Sequence, residues 1–414
     1  MFLKQANKFL VYFFSLLPLS IIIGPAVSLI NIILLDLFVL FLLFYNKYLN
    51  IFSNQTVKVL FFLYFYLLIN SFTAIDSELG FSRSLGFIRY ILLFVAINYV
   101  FYLNKNKNNL LFFWNIVILI FCADVFIEFF SGSNILGFNS GIYKDRIVSF
   151  FRNEPVTGSF LYGFYLIIFG FCIHDFDNKN NFNKIISILI IIIVFGGIFA
   201  SGERANFIRA FLSTLFLVIF FTKFEIKKKI SFLIIFLCII AFSIMQSSSL
   251  KQRYFNLLIK PIVNYDSGFL STQNIHLNIY EDSLHVLKNN LILGVGNKNY
   301  RKATCEKQPN ISRIYNCTTH PHQVFFELLS EHGIVGTIII LSIIFFLTFK
   351  ILRIIIISKN FLQISCFIYV LLAFLPILPS GAFFSDFNSN FFWINFALMY
   401  ASNNKTNIFS KIQI

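Results

Sequence analysis

The sequence predicts an all-α polytopic membrane protein with about 12 transmembrane helices and one large loop on the outer face. Three observations support this fold class. Hydrophobic residues make up 58% of the 414 residues and the mean hydropathy is +0.79. Charged residues make up only 12%, about half the fraction of a water-soluble domain. Apolar stretches of about 16 to 21 residues recur, which is near the length that crosses a hydrocarbon core.

Twelve apolar stretches are predicted to span the membrane. The first one follows Lys4 and Lys8 and has no clear small-residue cleavage site, so we expect a retained helix rather than a signal peptide. The chain then divides into helices 1–9 (residues 1–246), the large loop (247–322), and helices 10–12 with a tail (323–414). The predicted spans are 9–25, 27–45, 56–74, 87–103, 110–130, 157–174, 185–200, 207–222, 230–246, 333–350, 361–379 and 390–402.

The net charge of +15 would suggest nucleic-acid binding in a soluble protein. Here lysine-rich and lysine-poor connections alternate between the apolar stretches, which indicates topology rather than a nucleic-acid partner. The positive-inside rule places the lysine-rich connections and both termini in the cytoplasm. The rule then leaves nine of the ten arginines on the opposite face: Arg83, Arg89, Arg146, Arg152, Arg204, Arg209, Arg253, Arg301 and Arg313.

Positive charge on the face that the rule disfavours suggests an anionic ligand there, because the guanidinium group binds phosphate with two parallel hydrogen bonds. Stray loop arginines are the simpler alternative. No phosphate-binding glycine loop appears in the sequence, and no pair of carboxylates on this face suggests a metal site. We therefore expect no cofactor, no ATP and no metal, and a substrate that carries its own leaving group.

The loop 247–322 contains a helical pattern from about Asn274 to Ile292, which Gly294-Val295-Gly296 ends. We expect an amphipathic helix on the bilayer surface. Cys305 and Cys317 lie further along the loop. They would form a disulfide in an oxidising compartment and would otherwise be two free thiols. The apolar positions of the pattern are Leu277, Tyr280, Leu284, Leu287 and Leu291.

Two histidines flank Pro321 at the end of this loop. Proline suits the first turn of a helix, so we predict a helix from Pro321 to Glu331 that is broken or kinked at Gly333. Its N-terminus would lower the pKa of His322, and the neutral ring could accept a proton from a hydroxyl group. His320 is expected to point elsewhere. Either histidine could instead be an ordinary interfacial residue.

A tight turn, Ser201 to Arg209, joins two apolar stretches. An arginine so close to hydrocarbon is costly unless it is paired or functional. Either Glu203 pairs with Arg204, or Arg204 binds an anionic head group.

Further candidates lie in the loops of the same face. In the second outer loop (131–156), Arg146 and Arg152 could add phosphate contacts. Glu154 could hold an arginine or orient the base, although an ordinary loop is an equal alternative. His276 starts the surface helix on the same face as Tyr280, and it could simply be exposed. These are candidate substrate-binding residues, together with Arg301 and His320.

These motifs resemble those of the O-antigen ligase/polymerase superfamily of bacterial envelope glycosyltransferases. The matching elements are the turn Ser201-Gly202-Glu203-Arg204, the stretch Asn289 to Gly296, and His322 followed by Glu331-His332-Gly333-Ile334-Val335-Gly336. The resemblance implies about a dozen spans in the bacterial inner membrane and a late periplasmic loop with a periplasmic active site. It also implies metal-independent transfer of a glycan from an undecaprenyl-diphosphate carrier.

The catalytic residues implied by this resemblance are His322 and Arg204. Two departures stand out. Many members have an arginine four residues before a tryptophan in the surface helix, where this chain has His276 and Tyr280. That role is therefore in doubt or has moved to Arg253 or Arg301. The residue after the key histidine is often Asn, and here it is Gln323.

Three functions fit the sequence. The first is an O-antigen ligase with lipid A-core oligosaccharide as acceptor, acting by a single inverting displacement. The second is a polymerase that joins glycan repeats, with a protein O-oligosaccharyltransferase as a variant. These enzymes share a donor and differ in acceptor. The third is a twelve-span transporter, for which Asp36, Asp124 and Glu128 are candidate buried acids, although no internal repeat is visible.

Overall fold

Every element of the described chain is helical, and no strand occurs there. The structure is a computed structural model. It describes residues 2–104, 107–141, 143, 145–152, 154–174, 176–221, 225–259, 275–306, 315–376 and 378–410.

The α-helices are named in chain order. They are α1 (Phe2–Ser15), α2 (Leu17–Ile23), α3 (Pro25–Tyr45), α4 (Gln55–Phe72), α5 (Ser77–Gly86), α6 (Ile88–Leu103), α7 (Lys107–Ser131), α8 (Thr157–Ile173), α9 (Asn181–Ala200), α10 (Arg204–Phe216), α11 (Ile226–Gln246), α12 (Ile275–Asn289), α13 (Tyr300–Cys305), α14 (Val324–Lys350), α15 (Leu352–Ser358), α16 (Phe361–Ala373) and α17 (Asp386–Ala401). Short 3₁₀ and π segments and one single turn complete them: Leu49–Ser53, Ser149–Phe151, Phe176–Asn178, Leu217–Phe221, Ser248–Leu250 and Lys251–Ile259.

Seven helical segments of the described chain are long and apolar enough to cross a membrane, or eight if the bent pair formed by α1 and α2 is one span. Twelve spans stay a prediction. Two of the predicted spans, 157–174 and 361–379, fall on shorter apolar helices, α8 and α16. Large apolar side chains lie exposed along several candidate spans, such as Phe130 (82% exposed) and Met245 (78%). Such exposure is expected where the solvent is lipid.

The chain forms two compact units. The first unit comprises Met1–Asn31, Asn104–Asp266 and Ile355–Leu372, and the second unit comprises Ile32–Leu103, Ser267–Ile354 and Ala373–Ile414.

The first unit is built around α8, which packs against α9 and α10. Glycines allow close approach of its helices. A Cβ on Gly197 would lie 3.0 Å from Leu161 Cδ1, and one on Gly170 would lie 2.6 Å from Leu362 Cα. Small residues at helix crossings are typical of packing in membranes.

The second unit is built around α6 and α17, which pack along each other. Aromatic pairs fill their interface: Phe94 lies 5.3 Å from Tyr400 and Phe87 lies 5.4 Å from Trp393, between ring centroids. Helix α14 packs against α4 and α12, and it is kinked at Gly333 (φ 65°, ψ −171°) as predicted.

Candidate functional site

The turn before Arg204 is built on Gly202. Helix α9 ends at Ala200 and α10 begins at Arg204. Gly202 has φ 73°, and a Cβ there would lie 2.5 Å from the Asp145 carbonyl oxygen. The amide of Ile147 donates to the Ser201 carbonyl at 3.1 Å. The left-handed glycine therefore lets the turn lie directly against the loop that carries Arg146.

Glu203 does not pair with Arg204; it caps the start of α8. Its carboxylate accepts hydrogen bonds from the Gly158 amide at 2.6 Å, the Ser159 amide at 3.2 Å and Asn206 Nδ2 at 2.7 Å. Burial raises the pKa of Glu203, and the bonds from Gly158 and Asn206 oppose that shift. A carboxylate is favourable at a helix N-terminus, where backbone amides lack partners. Arg204 is thereby left without the acidic neighbour that the sequence offered.

Arg146, Arg204 and Arg253 form an arginine cluster. Arg253 is only 8% exposed. Its Nε donates to the Gly202 carbonyl at 3.1 Å, while its second terminal nitrogen is buried with no hydrogen-bond partner among the described residues. Arg204 donates to the Leu257 carbonyl at 2.6 Å. Of Arg253 and Arg301, the two arginines that the sequence left open for the family's surface-helix role, Arg253 lies in this cluster.

Mutual repulsion shows how close these three charges lie. Burial, and then the charge of Arg146, lowers the pKa of Arg204. Burial, followed by the charges of Arg146 and Arg204, lowers the pKa of Arg253 to about 10. Asp145 opposes this shift only weakly, and no ion pair joins the three described arginines to a carboxylate. Glu203 and Asp145 interact electrostatically with Arg146 and Arg253, respectively. The cluster still brings three guanidinium groups together, and such a concentration of positive charge suits a diphosphate.

Two buried acids hold the loop of Arg146 in place. Asp124 accepts from the Ser149 hydroxyl at 2.5 Å and from the Ile135 amide at 2.9 Å, and Glu128 accepts from the Ser149 amide at 2.6 Å. These side chains, which were candidates for a transport role, bind backbone and hydroxyl groups of residues 135–149. Asp36, the third candidate, is buried in α3 with no hydrogen-bond partner for its carboxylate.

Two loop candidates lie at the surface. Arg152 is exposed, and its guanidinium lies 5.3 Å from the Phe138 ring. Glu154 is exposed as well, and no side-chain contact joins it to an arginine of the described chain. Neither residue contributes to the arginine cluster.

His276, His320 and His322 form a histidine cluster in the second unit. The ring of His322 lies 4.1 Å from His320 and 5.7 Å from His276, between centroids. The prediction that His320 points elsewhere is wrong. The segment around Pro321 is not helical, and His322 has a left-handed backbone (φ 58°), so the helical turn that would have separated the two rings is absent. Among the described residues, no group of three His, Cys, Asp or Glu side chains could hold a metal ion.

The predicted helix start at Pro321 is also wrong. Helix α14 begins at Val324, because Gln323 caps it: Gln323 Oε1 accepts from the amides of Phe325 at 2.7 Å and Phe326 at 3.0 Å. His322 lies before the helix at φ 58°, and its carbonyl accepts from the Ser380 amide at 2.8 Å. A side chain in this backbone region is uncommon and is found at functional sites.

His320 and His322 are both held in the neutral form. Burial, and then the charge of His276, lowers the pKa of His322. The cause is desolvation rather than the predicted helix N-terminus. Burial, followed by the charges of His322 and Lys298, lowers the pKa of His320 to about 3. A neutral imidazole near a reacting hydroxyl is able to accept its proton.

The other predicted residues of the long loop take different places. Tyr280 stacks on Phe326 with centroids 4.6 Å apart, at the start of α14. Cys305 and Cys317 form a disulfide, which ties α13 to the segment that leads to His320. Arg301 is exposed on α13, and no contact among the described residues joins it to the histidine cluster. Arg313 lies outside the described residues.

The predicted surface helix is present as α12. Ile279, Ser283 and Val286 are buried, whereas Leu284 (41% exposed) and Leu291 (51%) are not. Val286 packs with Val295, Tyr300 and Ala303. Of the predicted apolar positions, Leu287 is buried in the protein and Leu284 is not, and the protein-facing side also carries Asp282 and Ser283.

The two glycine motifs pair with each other and form a glycine clasp, defined as residues 291–296 against 330–335. The amides of Ile334 and Val335 donate to the carbonyls of Leu291 (2.9 Å) and Ile292 (3.2 Å). In the other direction, the amide of Val295 donates to the Ser330 carbonyl at 2.9 Å. Gly294 has φ 68°, and a Cβ there would overlap the Glu331 backbone. This close backbone approach explains why glycines recur at both positions.

Lys298 is a functional candidate that the sequence analysis missed. Its amide donates to Glu331 Oε2 at 2.8 Å, and its ammonium lies within electrostatic range of His320, Glu327 and Glu331. Glu327 in turn accepts from the Phe383 amide at 2.8 Å. The positive-inside rule disfavours positive charge on the outer face. A lysine in the outer loop was therefore the available signal.

The described structure is therefore a helical membrane protein with an arginine cluster and a cluster of neutral histidines. Residues 189–341 match the family model described as O-antigen ligase. Over these residues the chain is similar to the O-antigen ligase/polymerase superfamily, whose members are glycosyltransferase-like enzymes. The matched range includes Arg204, Arg253 and the histidine cluster, and Arg146 lies before it. No curated protein matches the chain.

Proposed function

We propose that the protein is an O-antigen ligase that transfers a glycan from an undecaprenyl-diphosphate carrier to a sugar hydroxyl of lipid A-core. The family match supports the ligase/polymerase class, and the arginine cluster supports the donor chemistry. The observation that carries the proposal is the buried terminal nitrogen of Arg253, which has no partner and lies beside two further guanidinium groups. Leaving such a donor unpaired is costly unless a ligand satisfies it.

On the donor side, the arginine cluster binds the diphosphate. When the glycan leaves, negative charge builds up on the oxygen that joined the anomeric carbon to phosphorus. Guanidinium groups that are fixed in advance stabilise this charge without reorganising. Gly202, Glu203 and the loop of Arg146 supply that preorganisation through the contacts described above.

On the acceptor side, His322 is the general base. Its neutral ring nitrogen accepts the proton of the acceptor hydroxyl while the hydroxyl oxygen forms a bond to the anomeric carbon. The bond from that carbon to the carrier diphosphate breaks in the same step, so the products are the elongated acceptor, carrier diphosphate and a protonated histidine. A single displacement inverts the anomeric configuration. His276 contributes by keeping the pKa of His322 low.

The proposal places the enzyme in the bacterial inner membrane, with both termini in the cytoplasm and the loop 247–322 in the periplasm. The disulfide between Cys305 and Cys317 supports this orientation, because disulfides form and persist in an oxidising compartment such as the periplasm. No metal or other cofactor takes part in the proposed step.

The test is reconstitution of purified protein with carrier-linked glycan and either lipid A-core or a second carrier-linked glycan as acceptor. We expect transfer to lipid A-core, undiminished by EDTA, and loss of transfer in His322→Ala but not in His174→Ala, a matched histidine at the end of α8. Transfer only to the second carrier would identify the polymerase instead. Transfer to protein would identify an O-oligosaccharyltransferase.

A further inference from the structure

A small polar cavity lies in the second unit, and its lining includes no residue of the arginine cluster or the histidine cluster. It has a volume of ≈ 50 Å³, and Arg83, Arg89, Asn297, Phe384 and Asp386 are among the residues that line it. One ordered water needs about 10–15 Å³ of such volume. The cavity therefore has room for one substituent of a larger ligand, such as a carboxylate or a phosphate, and the rest of the ligand would remain in its mouth.

The charges in this cavity do not balance. Arg89 donates to Asp386 at 2.5 Å, and Arg83 lies 3.3 Å from the same carboxylate. Two guanidinium groups thus share one carboxylate, which leaves a net charge of +1. Arg89 is 16% exposed and also donates to the Tyr90 hydroxyl at 3.1 Å, whereas the Arg83 side chain is 44% exposed. Arg83 is therefore the group with free donors for an incoming anion.

The cavity also offers a buried acceptor. Asn297 is 1% exposed and its Oδ1 has no hydrogen-bond partner, although its Nδ2 donates to Ser84 and its amide donates to Asn70. A buried acceptor without a donor indicates a missing hydrogen bond. Because guanidinium groups cannot accept and Oδ1 cannot donate, a matching ligand needs both a negative group and a hydrogen-bond donor, which a hydroxyl group supplies.

A sugar with an acidic substituent has both groups. The cavity also lies next to the clasp. Asn297 precedes Lys298, whose charge reaches His320, and Phe384 packs on His332 with centroids 5.2 Å apart.

We propose that this cavity is a subsite for an anionic sugar, a uronate or a sugar phosphate, carried by one of the glycan substrates. The assignment to a glycan substrate rests on the proposed function; binding of the sugar itself does not. Arg83 and Arg89 bind the anionic substituent, and Asn297 accepts from a neighbouring hydroxyl. The site selects substrates by charge and takes no part in bond making.

Binding is measured on the full-length protein in nanodiscs, with methyl glucuronide and glucose 1-phosphate as probes and methyl glucoside as the neutral control. We expect the anionic sugars to bind at least about tenfold more tightly than the neutral sugar, because a hydrogen bond to a charged group is stronger than one between neutral groups. Arg83→Gln should remove most of that difference and Arg83→Lys should retain part of it. Arg353→Gln, which removes an exposed arginine on α15, should change nothing.

Equal binding of charged and neutral sugars, or equal effects of Arg83→Gln and Arg353→Gln, would overturn the proposal. Inorganic phosphate that binds as tightly as glucose 1-phosphate would also overturn it, because the site would then recognise an anion without a sugar. His322→Ala should still bind the probes, so this result is independent of turnover. In the transfer assay, Arg83→Gln should raise the KM of one substrate alone, which tells whether acceptor or donor carries the acidic sugar.

Discussion

At the scale of single residues, the protonation of His322 is the property on which the chemistry depends. Desolvation lowers its pKa, and the charge of His276 adds to that shift. The ring acts as a base only when neutral, so activity is present above the lowered pKa and is lost as the pH falls through it. In the pH profile of kcat/KM, we expect the acid limb to lie below pH 6.5, the ordinary value for histidine.

His276→Gln removes one of the two causes of this shift. Its acid limb should move toward higher pH but stay below the ordinary value for histidine, since burial, the larger cause, remains. A wild-type limb at or above pH 6.5, or a limb that His276→Gln leaves in place, would contradict the role of His322.

Arg253 is the residue that most directly tests the donor site. Arg253→Gln removes both the charge and the unpartnered nitrogen, so we expect kcat/KM for the carrier-linked glycan to fall by about 10- to 100-fold, the worth of one or two charged hydrogen bonds. Arg253→Lys should recover only part of this, because an ammonium group lacks the bidentate fork. Steady-state kinetics with limiting donor give the measurement, and a wild-type value in Arg253→Gln would contradict the assignment.

The sequence identified the residue types of the site better than their contacts. The sequence predicted that arginines bind the anion. Residue spacing could not show that Glu203 would cap α8 and so not form an ion pair with Arg204. Nor could it show that Gln323 would start α14 after the histidines. Both depend on which backbone amides lack partners, and that is decided by tertiary folding rather than by local pattern.

At the scale of elements, the glycine clasp is the device that orients the loop and α14. Gly294→Ala adds both a left-handed strain and an overlap with the Glu331 backbone. We expect a loss of about 2 kcal/mol or more in stability. Gly137→Ala is the matched control, because Gly137 has a similar φ of 81° and nothing within 4 Å of its Cβ position.

Thermal unfolding in detergent provides the comparison. The melting temperature of Gly294→Ala should fall well below that of Gly137→Ala, which carries the strain alone at about 1 kcal/mol. Equal melting temperatures would mean that the clasp does not hold these segments together.

The disulfide is the second device at this scale, because it closes a short loop that ends three residues before His320. The replacement of both Cys305 and Cys317 by serine should lower stability by about 3 kcal/mol, the value expected for a loop of this size. The control is Cys238→Ser, which replaces an exposed free thiol. Cys122 and Cys172 are unsuitable as controls because their thiols are buried. A double variant as stable as Cys238→Ser would remove the disulfide from the account.

Helices were predictable as elements, and their faces were less so. The pattern from Asn274 to Ile292 gave α12 nearly to its bounds. The side that packs could not be read from leucine spacing, because Asp282 and Ser283 are buried there through bonds to Asn316 and Ile279. Polar side chains with specific partners override a hydrophobic stripe.

At the scale of the whole molecule, composition was enough to predict the all-helical membrane class, and the family match agrees with the resemblance found in the motifs. The matched residues 189–341 contribute to both units. The arginine cluster belongs to the first unit and the histidine cluster to the second. The twelve spans stay a prediction, because several apolar helices, such as α8 and α16, are shorter than a full span. The cytoplasmic location of both termini stays a prediction as well.

The central claim is that this chain transfers a carrier-linked glycan with His322 as base and the arginine cluster as the diphosphate site. The most direct measurement is single-turnover transfer by purified protein, saturated with carrier-linked glycan and acceptor. We predict that His322→Ala and Arg253→Gln each lower the transfer rate by at least about 100-fold and 10-fold, respectively, while His174→Ala matches the wild type. Full transfer by His322→Ala, at an unchanged rate, would contradict the account.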